Sequence, residues 1–167
     1  GHGRPTTPNL DRLGARGLFY RQATSTAPWA IPAIGSLLTG RLPENHGAGV
    51  SDGSSNLDGP LRTDAQTLAT VLKDAGYRTM AVSGDPWLQN YWFDTGFERW
   101  DGVPETGPLP TVVHPWVVLT GDPLLWSLRR RSEEVTAVAT AAVQAQRKGR
   151  WFLFVHYVGP APQFSYT

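Results

Sequence analysis

Two stretches of this chain pass from an amphipathic helix, through a glycine, into a short apolar strand. That pattern narrows the fold more than any other feature. In the first, a helix over 64–75 takes Thr63 or Asp64 as its cap and carries Leu68, Val71, Leu72 and Ala75 on one buried stripe. Gly76 stops it and a strand over 77–83 follows. In the second, a helix over 127–148 carries Val135, Val138, Ala139, Ala142 and Val143 on one face and stops at Gly149. The strand after it, 151–157, reads Trp-Phe-Leu-Phe-Val-His-Tyr and is almost continuously apolar, as a central strand of a parallel sheet should be. Helix, strand, helix, strand with glycine-rich links indicates the α/β class: part of a doubly wound, mostly parallel sheet with helices on both faces. Ligands of such sheets bind at the carboxyl ends of the strands. The turns at 27–31, 84–88 and 158–164 all follow predicted strands, so they are expected to meet along one edge.

The turn at 27–31 belongs to the stretch 24–40, which reads as a strand end, a proline-rich turn and a short helix closed by Gly40. Pro32 suits the first helical turn, where its missing N–H has no partner to lose. The spacing puts Ala30 at the helix N-terminus, where free backbone N–H groups and the helix dipole favour an anion. A nucleophile at position 30 would face a bound sulfate or phosphate, yet the residue there is an alanine. Upstream, 9–17 predicts a short helix capped by Asn9, with Leu10 and Leu13 on one face and Gly17 as its stop. Residues 18–23 then predict a strand. Residues 41–62 predict a surface loop containing His46. The stretch 84–126 is rich in Pro, Gly and Trp and has no sustained period; its rings either line a cleft or cover a loop-built core.

The bulk properties serve mainly to exclude. A net charge of +1 gives no reason to expect nucleic acid or an acidic membrane surface as a partner. No apolar run reaches the roughly 20 residues of a membrane-spanning helix. With no cysteine, disulfides, thiolate metal sites and a cysteine nucleophile are excluded, and the compartment stays open. The sequence starts at Gly1 without Met and stops at Thr167 soon after an apolar strand. This reads as an internal piece of a larger α/β protein, incomplete at both ends and so with an exposed sheet edge.

Several stretches together resemble the sulfatase family of the alkaline-phosphatase superfamily. They are Thr7-Pro8-Asn9-Leu10-Asp11-Arg12-Leu13, Pro28-Trp29-Ala30-Ile31-Pro32 and Ser36-Leu37-Leu38-Thr39-Gly40-Arg41-Leu42-Pro43. The likeness continues through Thr67-Leu68-Ala69, Ala75-Gly76-Tyr77-Arg78-Thr79, Gly96-Phe97-Glu98-Arg99-Trp100-Asp101 and Phe152-Leu153-Phe154-Val155-His156-Tyr157. It covers nearly the whole chain in order, so that 1–167 is expected to form a partial sulfatase-like catalytic domain with 102–127 as an insertion or connecting loop. The resemblance implies a hydrolase or transferase of sulfate or phosphate esters that uses a divalent metal (Ca, Zn or Mn). A Ser, Thr or cysteine-derived formylglycine attacks, while metal and cationic side chains neutralise charge in the transition state. The Pro28-Trp29-x-x-Pro32 and Asp85-Pro86-Trp87-Leu88 turns are closer to the branch with Thr or Ser as nucleophile.

The chain departs from the family pattern at the positions that matter most. The nucleophile position, also a metal ligand, is Ala30. The arginine of formylglycine sulfatases corresponds to Ile34, the lysine of the turn after the second strand to Asp85, and the substrate-binding histidine near the end to Ala161. His46 matches a histidine common in the family and either supports the site or is structural. The family's acidic metal pairs fall on strands outside this chain, so no metal is expected to be held by this chain itself. Thr24, Ser25 and Thr26 lie too far upstream to replace residue 30; four extended residues span about 13 Å. His2, His114 and His156 lack metal-ligand spacing. The run Arg129-Arg130-Arg131 reads as a solvated helix start, with an anion-binding patch as the rival reading. The expected function is therefore a sulfatase-like ester hydrolase at family level, with this chain inactive alone. The alternatives are a catalytically dead relative that binds or scaffolds, or a phosphoryl-group transferase of cell-envelope synthesis.

Overall fold

The computed structural model describes residues 6–50, 59–86, 88–102, 129–146 and 148–158. Its elements are helices α1 (Pro8–Gly14), α2 (Ala30–Thr39), α3 (Pro43–His46) and α4 (Leu68–Asp74), strand β1 (Arg78–Ser83), a 3₁₀ turn (Leu88–Tyr91), strand β2 (Arg99–Asp101), helix α5 (Ser132–Ala145) and strand β3 (Trp151–His156). The three strands form one parallel sheet in the order β2-β1-β3. This is the α/β architecture expected from the sequence.

Each face of the sheet is covered by a different set of elements. The register pairs Met80 with Leu153 and Val82 with Val155, and pairs Ala81 with Phe154 and Ser83 with His156. Because side chains alternate along a strand, the first two pairs share one face and the last two the other. Val82, Leu153 and Val155 pack under Val135, Val138 and Ala139 of α5. On the opposite face Phe154 joins the larger core of Ile34, Leu38, Ala48, Leu61, Ala65, Leu88 and Phe93, with Phe97 and Trp100 against it. Phe97 anchors that side, stacking on Phe152 at 5.8 Å and meeting Trp100 edge-on at 5.6 Å.

Helix α4 begins four residues later than predicted, at Leu68, because Thr67 does the capping: its Oγ1 accepts from Thr70 N–H at 3.1 Å. The same hydroxyl reaches the Thr95 carbonyl at 2.8 Å. Gly96, at φ +89, lets its backbone press onto this helix start; a Cβ there would sit 2.3 Å from the Thr70 nitrogen. Thr79 on β1 donates to Gly96 O at 2.8 Å, and Glu98 N–H returns to Thr79 O at 2.9 Å. These bonds feed the chain into β2, a strand within a segment expected to be irregular.

Four expectations are corrected. Residues 18–23 form no strand: Leu18, Phe19 and Tyr20 are all more than two-thirds exposed, and they have no neighbouring strand to pair with among the described residues. Helix α1 starts after Thr7 rather than Asn9, ends by Gly14 and buries none of its residues, so Leu10 and Leu13 face outward. In α4 the buried residue is Ala69, whose small side chain lets the helix lie close to the sheet, while Leu68 and Val71 are exposed. Strand β3 pairs only with β1 among the described residues; β1 is the central strand and the more deeply buried of the two. The long stretch 103–128, most of the expected insertion, lies outside the described residues, as does the turn containing Ala161.

Candidate functional site

Helix α2 begins at Ala30. Trp29, the N-cap, is extended at φ −133 and ψ 163 and makes no side-chain cap bond, and Ala30 itself is exposed. Pro32 is buried one turn in, at a position whose N–H would have had no helical partner. Gly40 closes the helix in the left-handed conformation at φ 66, donating to Ser36 O at 2.8 Å. The N-terminal peptide groups therefore present the positive end of the helix dipole to solvent beside residue 30. Its methyl group cannot attack or bind a metal. Ile34 points into the core and is 8% exposed, so this position offers an anion no charge. Ser25 closes a local turn with Ala27, its Oγ 2.7 Å from the Ala27 carbonyl, and Thr26 is exposed upstream.

His46, expected on a surface loop, is wholly buried at the end of α3. Its Nδ1 accepts from Ala48 N–H at 3.1 Å, which leaves the proton on Nε2. That nitrogen lies 3.1 Å from the Pro32 carbonyl and 3.0 Å from Ser36 Oγ. The ring sits against Gly35, where a Cβ would fall 2.5 Å from Cε1 and 2.8 Å from Nδ1. Burial holds its pKa below the ordinary histidine value, only partly offset by the Pro32 carbonyl and the Glu44 charge. His46 thus fixes the first turns of α2 from behind, with both ring nitrogens engaged by the chain.

Asp85 lies in the turn after β1, half-buried, with its N–H bonded to Ser83 Oγ at 3.0 Å. Gly84 joins this turn to two neighbours: its N–H donates to His156 O at 3.0 Å, and its carbonyl accepts from Arg130 N–H at 3.1 Å. A Cβ at 84 would press on Arg130 O at 3.1 Å and Val135 Cγ2 at 3.2 Å, tight contacts admitted only if these neighbours give by a few tenths of an ångström. Ser83 is buried, its Oγ 3.4 Å from His156 Nδ1. Burial lowers the His156 pKa; the Asp85 charge opposes this and the Arg129 charge adds to it. Burial likewise presses against the charge of Arg129, and Asp85 supports it. Arg130 makes a 2.8 Å ion pair with Asp101 and donates to Gly102 O at 3.0 Å, with only 14% of its side chain exposed. The arginine run is therefore not a solvated helix start: Arg131 alone is largely in water, and it pairs with Glu134.

Ser83, Arg129 and His156 lie near Asp85, and of these the sequence offered only Arg129, in the rival reading of its arginine run as an anion-binding patch. The usable signal for two of them was position, because Ser83 and His156 close their strands at the carboxyl edge. An open cleft of about 640 Å³ lined by Arg41, Glu44, Arg62 and Asp64 lies at the other end of α2, away from Ala30. Among the described residues no group of three or more His, Asp or Glu side chains is placed to hold a metal ion. With a methyl at residue 30 as well, the donor set does not fit a divalent metal, and no metal-assisted step is assigned to these residues. No helix among the described residues is long and apolar enough to cross a membrane.

A parallel sheet with helix α5 on one face and a helix-and-loop core on the other defines an α/β class of proteins. The sulfatase family model matches residues 1–167, and the chain belongs to that family. It is 32% identical to human N-acetylgalactosamine-6-sulfatase over 130 residues, 68% of this chain and 24% of that protein. It is 44% identical to bovine arylsulfatase A over 81 residues, 47% of this chain and 16% of that one. In structure it is similar to the phosphonate monoester hydrolase of Agrobacterium radiobacter, with a TM-score of 0.63 and 21% identity over 97% of this chain and 38% of the other. The chain thus spans about a quarter or less of the curated relatives it matches.

Proposed function

We propose that this chain forms part of a sulfatase-type site that recognises a sulfate or phosphate ester, and that the chain does not itself cleave the ester. The observation that carries this reading is the geometry at Ala30: an exposed helix N-terminus with no side-chain cap, set on a family scaffold, with no oxygen or sulfur atom on the residue that should attack. Loss of an oriented nucleophile removes the covalent route, while the helix N-terminus still offers the ester oxygens hydrogen-bond donors. Sulfate esters are favoured over other anions by the family and by the sulfatases it resembles. A second reading, a relative that keeps the fold only for binding, draws support from Asp85, a second substitution in a separate turn.

The test is release of 4-nitrophenol from its sulfate and phosphate esters, with Mn²⁺ or Ca²⁺ supplied, by the longest form of the protein that carries this chain. No turnover is expected with Ala30 in place. Turnover that survives purification and disappears with chelator would refute the proposal. In the Ala30→Thr variant, restored turnover favours a hydrolase site lacking one group, and continued silence favours the binding reading.

A further inference from the structure

Ser83 ends β1 at the carboxyl edge of the sheet, wholly buried, and its hydroxyl meets three polar atoms. Its Oγ accepts from Asp85 N–H at 3.0 Å, lies 3.1 Å from the Asp85 carbonyl oxygen and 3.4 Å from His156 Nδ1. A serine hydroxyl has one proton to give and two lone pairs to receive with. The carbonyl can only accept, so the proton between these two oxygens is the serine's own. With that proton committed, the contact to His156 closes only if Nδ1 carries a hydrogen and donates it to Oγ. The opposite arrangement, Ser83 donating to Nδ1, leaves two oxygens 3.1 Å apart with lone pairs facing each other. We propose that Ser83 is a positioning residue that holds neutral His156 as its Nδ1–H tautomer, so that Nε2 stands at this edge as an acceptor for an O–H group of a ligand. The tautomer is independent of what the edge binds; the ligand role of Nε2 rests on the reading that the edge receives a sulfate or phosphate ester.

The surroundings of His156 keep the ring neutral. Burial disfavours the imidazolium and the Arg129 charge adds to this, while the Asp85 charge opposes it. The Phe154 ring lies nearly parallel to the imidazole with centroids 6.4 Å apart and offers no acceptor. Nε2 makes no hydrogen bond among the described residues. His156 closes β3 at the edge where α/β sheets bind ligands. An imidazole lone pair there accepts from a hydroxyl or takes up a proton, and it offers no donor to a fully ionised sulfate oxygen. The plainer account gives Ser83 a local duty only, closing the turn at Asp85. On that account His156 takes the tautomer that free histidine prefers, with its hydrogen on Nε2. His46 provides the contrast within the chain: its Nδ1 accepts from Ala48 N–H at 3.1 Å, so its hydrogen is on Nε2. The two histidines are therefore expected in opposite tautomers.

Long-range ¹H–¹⁵N correlation of ¹⁵N-histidine reads both rings at once. The sample is the longest form of the protein that carries this chain, held above the ordinary histidine pKa of about 6.5, with His156→Gln and His46→Gln assigning the signals. His156 is expected to show a pyrrole-type Nδ1 and a pyridine-type Nε2, and His46 the reverse. A pyridine-type Nδ1 in His156 overturns the proposal. In Ser83→Ala the pattern of His156 is expected to reverse while that of His46 stays; a folded Ser83→Ala that keeps the Nδ1–H form overturns the positioning role. Should Ser83→Ala lose its dispersed spectrum, Ser83→Thr decides, since it keeps the hydroxyl: retained Nδ1–H supports the proposal, and Nε2–H in a folded variant overturns it. Sodium sulfate, its binding followed by calorimetry, then separates this inference from the ester reading. Saturable binding with Nε2 still unprotonated supports the acceptor role, and an Nε2–H that appears with sulfate overturns it. Absence of binding overturns the ester reading and the ligand role of Nε2 together, while the tautomer is decided by the spectra alone.

Discussion

Gly35→Ala inverts the usual outcome of a helix substitution, and it does so through His46. Gly35 lies in the interior of α2, where Ala is favoured over Gly by about 1 kcal/mol. The added methyl would fall 2.5 Å from His46 Cε1, 2.8 Å from Nδ1 and 3.0 Å from Nε2. The imidazole cannot give way freely, because it is wholly buried and bonded to Ala48 N–H, Pro32 O and Ser36 Oγ. Overpacking of this kind costs about 1–3 kcal/mol. Displacing the ring also strands buried polar groups at about 1–3 kcal/mol each. The clash outweighs the propensity, and the net expectation is a loss of about 2–3 kcal/mol. In a His46→Ala background the space is empty, so the same substitution should stabilise by about 0.5–1 kcal/mol. Urea unfolding of the four proteins of this cycle measures both signs, provided m is unchanged. Stabilisation by Gly35→Ala in both backgrounds would refute the claim that His46 is clamped onto α2.

Two further outcomes follow from the same contacts. His46 and His156 have lowered pKa values in the folded state, so the unfolded chain binds more protons below its own histidine pKa near 6.5, and stability should fall as pH drops from 7.5 to 5.5. The His46 share is at most about 1.4 kcal/mol at pH 5.5, and the pH dependence of His46→Gln, compared with the parent in thermal melts, should be shallower by that share; equal slopes would remove His46 from the account. Asp101→Ala leaves the Arg130 guanidinium, 14% exposed, without its carboxylate and should cost about 2 kcal/mol in denaturant unfolding, whereas an effect within about 0.5 kcal/mol would show the pair to be loosely held.

What the sequence made legible was set by local chemistry. The glycine stops at Gly40 and Gly76 and the proline in the first turn of α2 act within a few residues, so the ends of α2 and the passage from α4 into β1 could be read directly. The strands at 78–83 and 151–156 announced themselves by apolar runs. The failures are tertiary. Leu18, Phe19 and Tyr20 have strand-forming side chains, but a strand exists only where a partner pairs with it. Among the described residues the order β2-β1-β3, with the most apolar strand at one side of β1, depends on Thr79, Gly96 and Glu98 drawing β2 onto β1, and no periodicity encodes that. The start of α2 at residue 30 was legible from its turn and helix alone. His46 was not, because its burial depends on Gly35 leaving a space earlier in the chain and on the Ala48 amide.

The same distinction explains why the scaffold and the reacting group can part company. The fold of α2 depends on Pro32, Gly35, Ser36, Gly40 and His46, whose contacts lie behind the helix or at its far end. Residue 30 is exposed in front of it and contributes nothing to that packing. The identity of residue 30 can therefore vary with the stabilising contacts of α2 left in place. Position 85 differs, because its backbone is held by Ser83 and Gly84 while its side chain bears on the charge balance with Arg129 and His156.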